Sequence, residues 1–239
     1  SMIAPDTISL ASILSGQGYD RSAVIPESGT RDQQQLFFPS LGFSETFFQE
    51  DFEDRELTAV IGNILEEGEK PDFIYARLTG LEGDYSTRAL GSYYQDLRAL
   101  DQKILALKEK ISGTLRPSII VVYSGSIPAL EEGLLTEKLA SGRSGLEKEQ
   151  ALQQGRMILW NNFNRKAPYP QGEETDLFQL GEILLTYGNI EMPRYFYYMA
   201  SLKDEKISAF GTGYLKKGGI LFGVNTPEYL DVERELVMI

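Results

Sequence analysis

Two short stretches of the chain put chemically capable side chains where chemistry is usually done. The first is "PSIIVVYSGSIPAL" (117–130). Pro117 opens an apolar run, Ile119 to Tyr123, that ends abruptly in Ser124-Gly125-Ser126 and Ile127-Pro128. A buried strand delivers its last residues in this way to the edge of an α/β sheet, where ligands sit. The second is "DFIYARLTGLEGDY" (72–85), in which Glu82 and Asp84 stand just past another apolar run. Hydroxyls at Ser124 and Ser126 suit a nucleophile or a hydrogen-bonding site. Carboxylates at Glu82 and Asp84 suit an acid–base pair or metal ligands, with a solvated loop as the plain alternative.

Composition narrows these options. The 239 residues include no His and no Cys. Without His the commonest general base and zinc ligand is gone, and no Ser–His–Asp arrangement can form. A Ser–Lys pair has no spacing to support it. Without Cys there are no disulfides, thiolate metal sites or thiol nucleophiles, which fits either redox compartment. Ser124-Gly125-Ser126 also lacks the lysine and the multi-glycine loop of a phosphate-cradling motif. Thirty-five acidic against 23 basic residues give a net charge of −12, which argues against nucleic-acid partners. No apolar run approaches the roughly 18 residues that span a bilayer, and the first residues do not read as a signal peptide. Hydrophobic and charged contents of 42% and 24% are those of an ordinary globular chain.

The elements that must position these residues alternate. Asp6 is expected to cap a short helix through Leu14, closed by Gly16 and Gly18. "RSAVIP" (21–26) reads as a strand, and 28–48 as a loop with aromatic anchors. Asp54 is placed as the cap of a helix whose Leu57, Val60, Ile61, Ile64 and Leu65 share one face. Residues 72–78 form a second buried strand. Tyr93, Leu97, Leu100, Ile104, Leu107 and Ile111 make one continuous helical stripe, too short before Gly113 and Pro117 for a coiled coil. A polar excursion with short helices (129–155), a strand (156–162) and a helix capped at Thr175 or Asp176 (175–188) follow. A helix after Pro193 carries "RYFYYM" (194–199) as a packing face, with a carbohydrate platform as the alternative. Short segments over 207–224 suggest a small antiparallel sheet. The predicted fold is α/β: a mainly parallel sheet with helices on both faces and a small C-terminal antiparallel sheet. The runs 21–25, 73–78, 118–123 and 157–160 are expected side by side in that sheet, with helices 54–67 and 92–111 on its faces.

"LASILSGQGYDRSAVIP", "RDQQQLFFPSLGFSETF", "PDFIYARLTGLEGDY", "YYQDLRALDQKILALKEK", "IIVVYSGSIPAL" and "MILWNN" follow one another in that order. Together they resemble the lipoteichoic acid synthase-like branch of the sulfatase/alkaline phosphatase superfamily, from about residue 7 to 205. That family has a Gly-Tyr turn into a strand, an Arg-Asp plus Leu-Gly-Phe segment and a Tyr-rich helix. A strand ending Tyr-Gly-Asp-His-x-Pro and another ending Trp-x-Asn complete the pattern. The resemblance implies an alkaline phosphatase-like α/β domain over 3–205, with 206–239 an antiparallel sub-structure of the same domain.

It also implies what the strand tip has lost. The family's Gly-Asp-His falls on Ser124, Gly125 and Ser126, and its Asp and His bind the catalytic manganese or magnesium. A neutral hydroxyl is a poor substitute. Glu82 stands near a substrate-binding His of the family, and Pro26 near another. The family's metal-binding Glu and Thr nucleophile belong to a segment before the point where this sequence starts, so a reduced domain lacking that first part is expected. Arg31 is the one family-like phosphate contact retained, with a surface arginine next to Asp32 as the plain alternative.

The function implied is that of a pseudoenzyme serving in binding or assembly and linked to cell-envelope polymers, with no catalytic residue, metal or cofactor. Arg31, Glu82, Ser124 and Ser126 would line a vestigial pocket for a glycan, polyol or phosphate-bearing ligand. A protein partner is the other candidate. By resemblance the location is the extracytoplasmic face of a bacterial membrane or the periplasm, with membrane spans upstream. The alternative is an active phosphoglycerol- or phosphoethanolamine-type transferase, or a sulfatase-like hydrolase, completed by an absent segment or a partner chain.

Overall fold

Strand β1 (Asp20–Ile25) is buried from Ser22 to Ile25, none of the four more than 4% exposed. Its neighbours explain why. β2 (Glu45–Phe48) pairs with it on one side and β3 (Asp72–Ala76) on the other, both parallel, in the order β2-β1-β3. Side chains of a strand alternate between faces, and here each face meets a different helix. Ala23 and Ile25 pack on Phe38 of α2 (Arg31–Ser40), joined by Phe43, Phe48 and Tyr75. Val24 packs on Leu57 and Ile61 of α3 (Asp54–Glu67), joined by Leu107 of α4 (Leu90–Ser112). A parallel sheet with helices on both faces is the architecture that the alternation of segments predicts.

The computed structural model describes residues 9–25, 31–48, 54–78, 80–81, 85, 90–124, 130, 133–166, 172, 174–210 and 213–237. The chain divides into two compact units, Ser1–Arg116 and Pro117–Ile239. In the first, α1 (Leu10–Gly16) starts at Ser9, whose hydroxyl accepts from the N–H of Ser12 while Ser12 answers the N–H of Ser9. The reciprocal pair satisfies two otherwise orphaned donors. Asp6, expected as the cap, lies outside the described residues. The stretch 28–48, expected as a loop, instead contains α2 and β2. α2 shows why it escapes a pattern search: Leu36 is 78% exposed and Phe37 44%, while Phe38 beside them is buried. Gly42 closes it at φ +92°, where a Cβ would come within 2.9 Å of the Ser12 backbone.

Arg116 fastens the far end of α3. Its guanidinium donates to the carbonyls of Leu65 (2.9 Å), Gly68 (3.1 Å) and Lys70, and pairs with Asp72 at 2.9 Å. The last carbonyls of a helix have no partner within it, so one side chain caps α3 and starts β3. Burial pushes the Asp72 carboxyl upward, and the Arg116 charge and hydrogen bond pull it back.

The second unit begins with β4 (Ile119–Tyr123), which pairs with β5 (Met157–Asn161) in a two-stranded ladder, Tyr123 opposite Met157. The pairing is antiparallel. This corrects the expectation of all four apolar runs side by side in one mainly parallel sheet: β1 and β3 pair in parallel, while β4 and β5 pair with each other, in opposite directions, in a separate ladder. An apolar run states that a strand is covered and leaves its direction open. The intervening chain holds α5 (Leu134–Leu139) and α6 (Gly145–Gln153). Beyond β5, Asp176 caps a 3₁₀ turn (Leu177–Gln179) that runs into α7 (Leu180–Gly188).

α8 (Arg194–Asp204) packs on α7 and on β6 (Ile207–Phe210). Its aromatic stripe is mostly structural: Phe196 and Met199 are buried and Tyr198 donates to Glu235 at 2.8 Å, leaving Tyr197 outward. β6, β7 (Tyr214–Lys217) and β8 (Ile220–Gly223) form the antiparallel sheet that the sequence predicts. Helix α9 (Pro227–Val237) lies on β7 and β8, with Tyr229 stacked on Phe210 at 4.9 Å.

Candidate functional site

In the first unit, topology itself marks an edge. The chain leaves β1 for α2 on one face of the sheet and leaves β3 for α4 on the other. Adjacent strands whose connections diverge in this way open a crevice at their C-terminal ends, where α/β folds bind ligands. Arg31 is the first residue of α2, directly at that edge. The helix N-terminus there is the positive end of the helix dipole, which favours an anion. Glu82, in the β3–α4 connection of the sequence, lies outside the described residues.

That connection is pinned. Tyr85 is 1% exposed, and its hydroxyl donates to Asp96 of α4 at 2.8 Å with the Gly80 carbonyl a second acceptor at 3.1 Å. Its ring meets Tyr93 edge-on at 5.2 Å. The residue between the candidate Glu82 and helix α4 thus ties the loop to the helix. Sequence patterning did not single it out; the signal available was one aromatic in an otherwise polar loop.

In the second unit, β4 ends at Tyr123 and hands over to Ser124, an exposed residue. A Cβ on Gly155 would stand 3.4 Å from the Ser124 Cβ, so the start of β5 flanks the tip closely. Ser126 and Gly125 lie outside the described residues. The other end of the pair is locked by Asn162, whose Oδ1 accepts from the N–H of Ser118 at 2.8 Å. Asn161 Oδ1 accepts from the N–H groups of Phe163 and Arg165, and its amide donates to Tyr187. Arg31 and Glu82 therefore belong to one unit, Ser124 and Ser126 to the other.

A divalent cation does not suit the β4 tip. Ser124 offers one neutral hydroxyl, Gly125 offers no side chain, and the chain has no His anywhere. Magnesium and manganese favour carboxylate, carbonyl and water oxygens, often with imidazole. Among the described residues no group of three or more His, Cys, Asp or Glu side chains is arranged to hold a metal.

The motifs that carry the family resemblance turn out to be fold devices. Gly18, at φ +82°, turns the chain into β1. Leu41-Gly42-Phe43 closes α2, and Phe43 stacks on Phe73 at 5.7 Å. Asn162 of the Trp-x-Asn segment locks β4 to β5. Shared positions of this kind predict a shared fold.

No protein-family model matches the chain, and no curated protein does. Among solved structures, the chain is similar to the Streptococcus pyogenes phosphoglycerol transferase GacH in complex with sn-glycerol-1-phosphate. The TM-score is 0.64 at 16% identity, over 92% of this chain and 60% of that one. The chain thus spans about three fifths of the GacH structure. A second match is the lipoteichoic acid synthase LtaP from Listeria monocytogenes, at TM-score 0.36 and 16% identity, over 48% of this chain and 36% of that one. The chain shares the α/β fold of the GacH phosphoglycerol transferase, in keeping with the fold that the order of its motifs implies.

Proposed function

We propose that the chain is a non-catalytic member of the phosphoglycerol-transferase fold that binds a phosphate-bearing or polyhydroxyl component of cell-envelope polymers. The single observation that carries this reading is the β4 tip. By the motif resemblance, the exposed Ser124 falls on the first residue of the family's metal-binding Gly-Asp-His. The following Gly125 and Ser126 cannot restore the ligand pair.

Two further observations support a binding role. GacH, which has the same fold, is in complex with sn-glycerol-1-phosphate. Arg31 opens α2 at the switch-point edge, where a guanidinium and a helix N-terminus both attract an anion. The negative charge of Glu82 on the neighbouring connection opposes a full dianion and shifts preference towards polyols and glycans. The proposed location is the extracytoplasmic face of the bacterial membrane. Among the described residues no helix is long and apolar enough to cross a membrane.

Thermal unfolding with and without manganese tests the proposal, together with a phosphodiester turnover assay. A ligand well above its dissociation constant stabilises by roughly 2–3 kcal/mol, a rise of several degrees for a chain of this size. The expected outcome is no manganese-dependent rise and no turnover, with weak binding of glycerol phosphate or neutral oligosaccharides that Arg31→Ala lowers about tenfold. A clear rise with manganese, accompanied by turnover, overturns the proposal in favour of an active transferase.

A further inference from the structure

We propose that the cleft between the end of α8 and the β7–β8 turn is a separate site for a small oxyanion, phosphate or carboxylate, carried on a hydroxyl-rich body. The cleft has a volume of about 360 Å³ and is lined by Lys203, Lys206, Ser208, Glu174, Gly218 and Gly219. That volume suits a sugar- or polyol-sized ligand. Nothing in the proposed function draws on these residues.

Three features set this cleft apart from an ordinary surface fold. Lys206 sits just past the C-terminus of α8 at φ +62°. Its N–H donates to the Lys203 carbonyl at 2.8 Å, and its carbonyl accepts from Gly218 at 2.9 Å. Helices that end in this left-handed conformation usually place Gly or Asn there, because a longer side chain is strained. Every other positive-φ position among the described residues obeys that preference, with Gly or with Asn164 and Asn189. The exception is a lysine at the lip of a cavity, and strained residues concentrate where a side chain is needed.

The second feature is the handling of negative charge. Glu174 forms part of the wall, and both its oxygens are engaged: one by Lys216, the other by the amides of Gln150 and Gln154. Glu205, beside the lip in sequence, pairs with Lys217 at 3.2 Å. These two carboxylates therefore already have cationic or N–H partners, and Lys206 brings positive charge to the lip in a chain whose net charge is −12. Third, Ser208, a residue with a hydroxyl, lines the same cavity. An ammonium group with a hydroxyl recognises an oxyanion as a point charge plus one directional bond.

Amide NMR on the intact chain tests this site with inorganic phosphate, glycerol phosphate and gluconate, and with glycerol as the neutral control. The expected result is a saturable shift of the Lys206, Gly218 and Gly219 resonances with glycerol phosphate or gluconate, absent with glycerol. Whichever of those two binds more tightly identifies the oxyanion. Lys206→Gly should raise the melting temperature by about 1–3 °C, because glycine suits the left-handed position. The same variant should weaken the anion at least threefold, and Lys203→Gln should add to that loss. Arg31→Ala should leave these shifts unchanged, which separates this site from the switch-point edge. Absence of a saturable shift at these amides overturns the proposal, as does unchanged affinity in both lysine variants.

Discussion

In β1, Ala23, Val24 and Ile25 are at most 1% exposed, whereas Ile119 to Val122 of β4 are only partly buried and Tyr123 is 39% exposed. Both are short apolar strands, and the apolar run of β4 is the longer. The difference lies in their neighbours. β1 has a parallel strand on each side and a helix layer on each face, while β4 pairs with β5 alone in its ladder. Burial is conferred by the surroundings, so the less conspicuous run carries the core and the more conspicuous one ends in an accessible tip. A core strand fixes geometry, and an accessible strand end can meet a ligand.

One substitution made in both strands gives the largest expected contrast. Val24→Ala removes two methyl groups from a side chain 0% exposed, at about 0.8 kcal/mol per group plus the cost of the cavity left behind. The expected loss is about 2–3 kcal/mol in urea unfolding. Val122→Ala, in a half-buried site, should cost about 1 kcal/mol. Equal losses would show that β4 is as deeply embedded as β1 and would break the contrast.

Arg116→Ala comes next. It removes the donor to the Leu65 and Gly68 carbonyls at the end of α3 and to the Lys70 carbonyl just before β3, and leaves Asp72, whose side chain is 4% exposed, without its cation. Hydrogen bonds to charged groups are worth about 1.5–3 kcal/mol, and Arg116 is partly exposed, so about 2 kcal/mol is expected at pH 7. The deficit should depend on pH. The Asp72 carboxyl is already raised above 3.8 by burial, and Arg116 holds it down, so losing Arg116 raises it further. A carboxyl raised in the folded state holds its proton more tightly there than in the unfolded chain. Its contribution is complete below 3.8 and is lost as pH rises through the folded value. The variant should therefore lie closer to wild type near pH 4 than at pH 7. A pH-independent deficit would assign the effect of Arg116 to helix capping alone.

The same contrast shows what the sequence can disclose. Regular periodicity was legible: the Tyr93-to-Ile111 stripe lies on α4, and the alternation of strands and helices predicts the parallel sheet. Elements held by few contacts were not. α2 depends on Phe38 and a glycine turn, and β2 is a four-residue strand. Neither leaves a pattern, and α9 went unpredicted as well. The antiparallel sense of β5 depends on the path of the preceding segment, which hydrophobicity does not encode. At the candidate site, Ser124 was legible as a strand tip because a run of β-branched residues stops there. Glu174 and the Gly218-Gly219 turn come from stretches remote from Lys203 and Lys206 and meet them only through the fold, so no local motif could announce the cleft.

The smallest expected effect falls on the loop that carries Glu82. Tyr85 is buried, and its hydroxyl has one proton, donated to Asp96 with Gly80 within reach as a second acceptor. Tyr85→Phe keeps the ring and its edge-on contact with Tyr93 and deletes only that proton and oxygen. Asp96 is half-buried, so water can replace the lost donor, and the stability cost should be about 1 kcal/mol. The local effect should exceed the global one. Once untied from α4, the connection opens without the rest of the unit unfolding, so Gly80 and Leu81 should exchange their amide hydrogens several-fold faster while β1 stays protected. If this loop helps to shape a ligand edge at the β1–β3 crevice, glycerol phosphate or glycan affinity should weaken in the same variant, with no change at Lys206. Unchanged exchange at Gly80 and Leu81 would mean that the Tyr85 ring, rather than its hydroxyl, holds the loop. The fixed edge of the parallel sheet would then rest on apolar packing, the same force that buries β1.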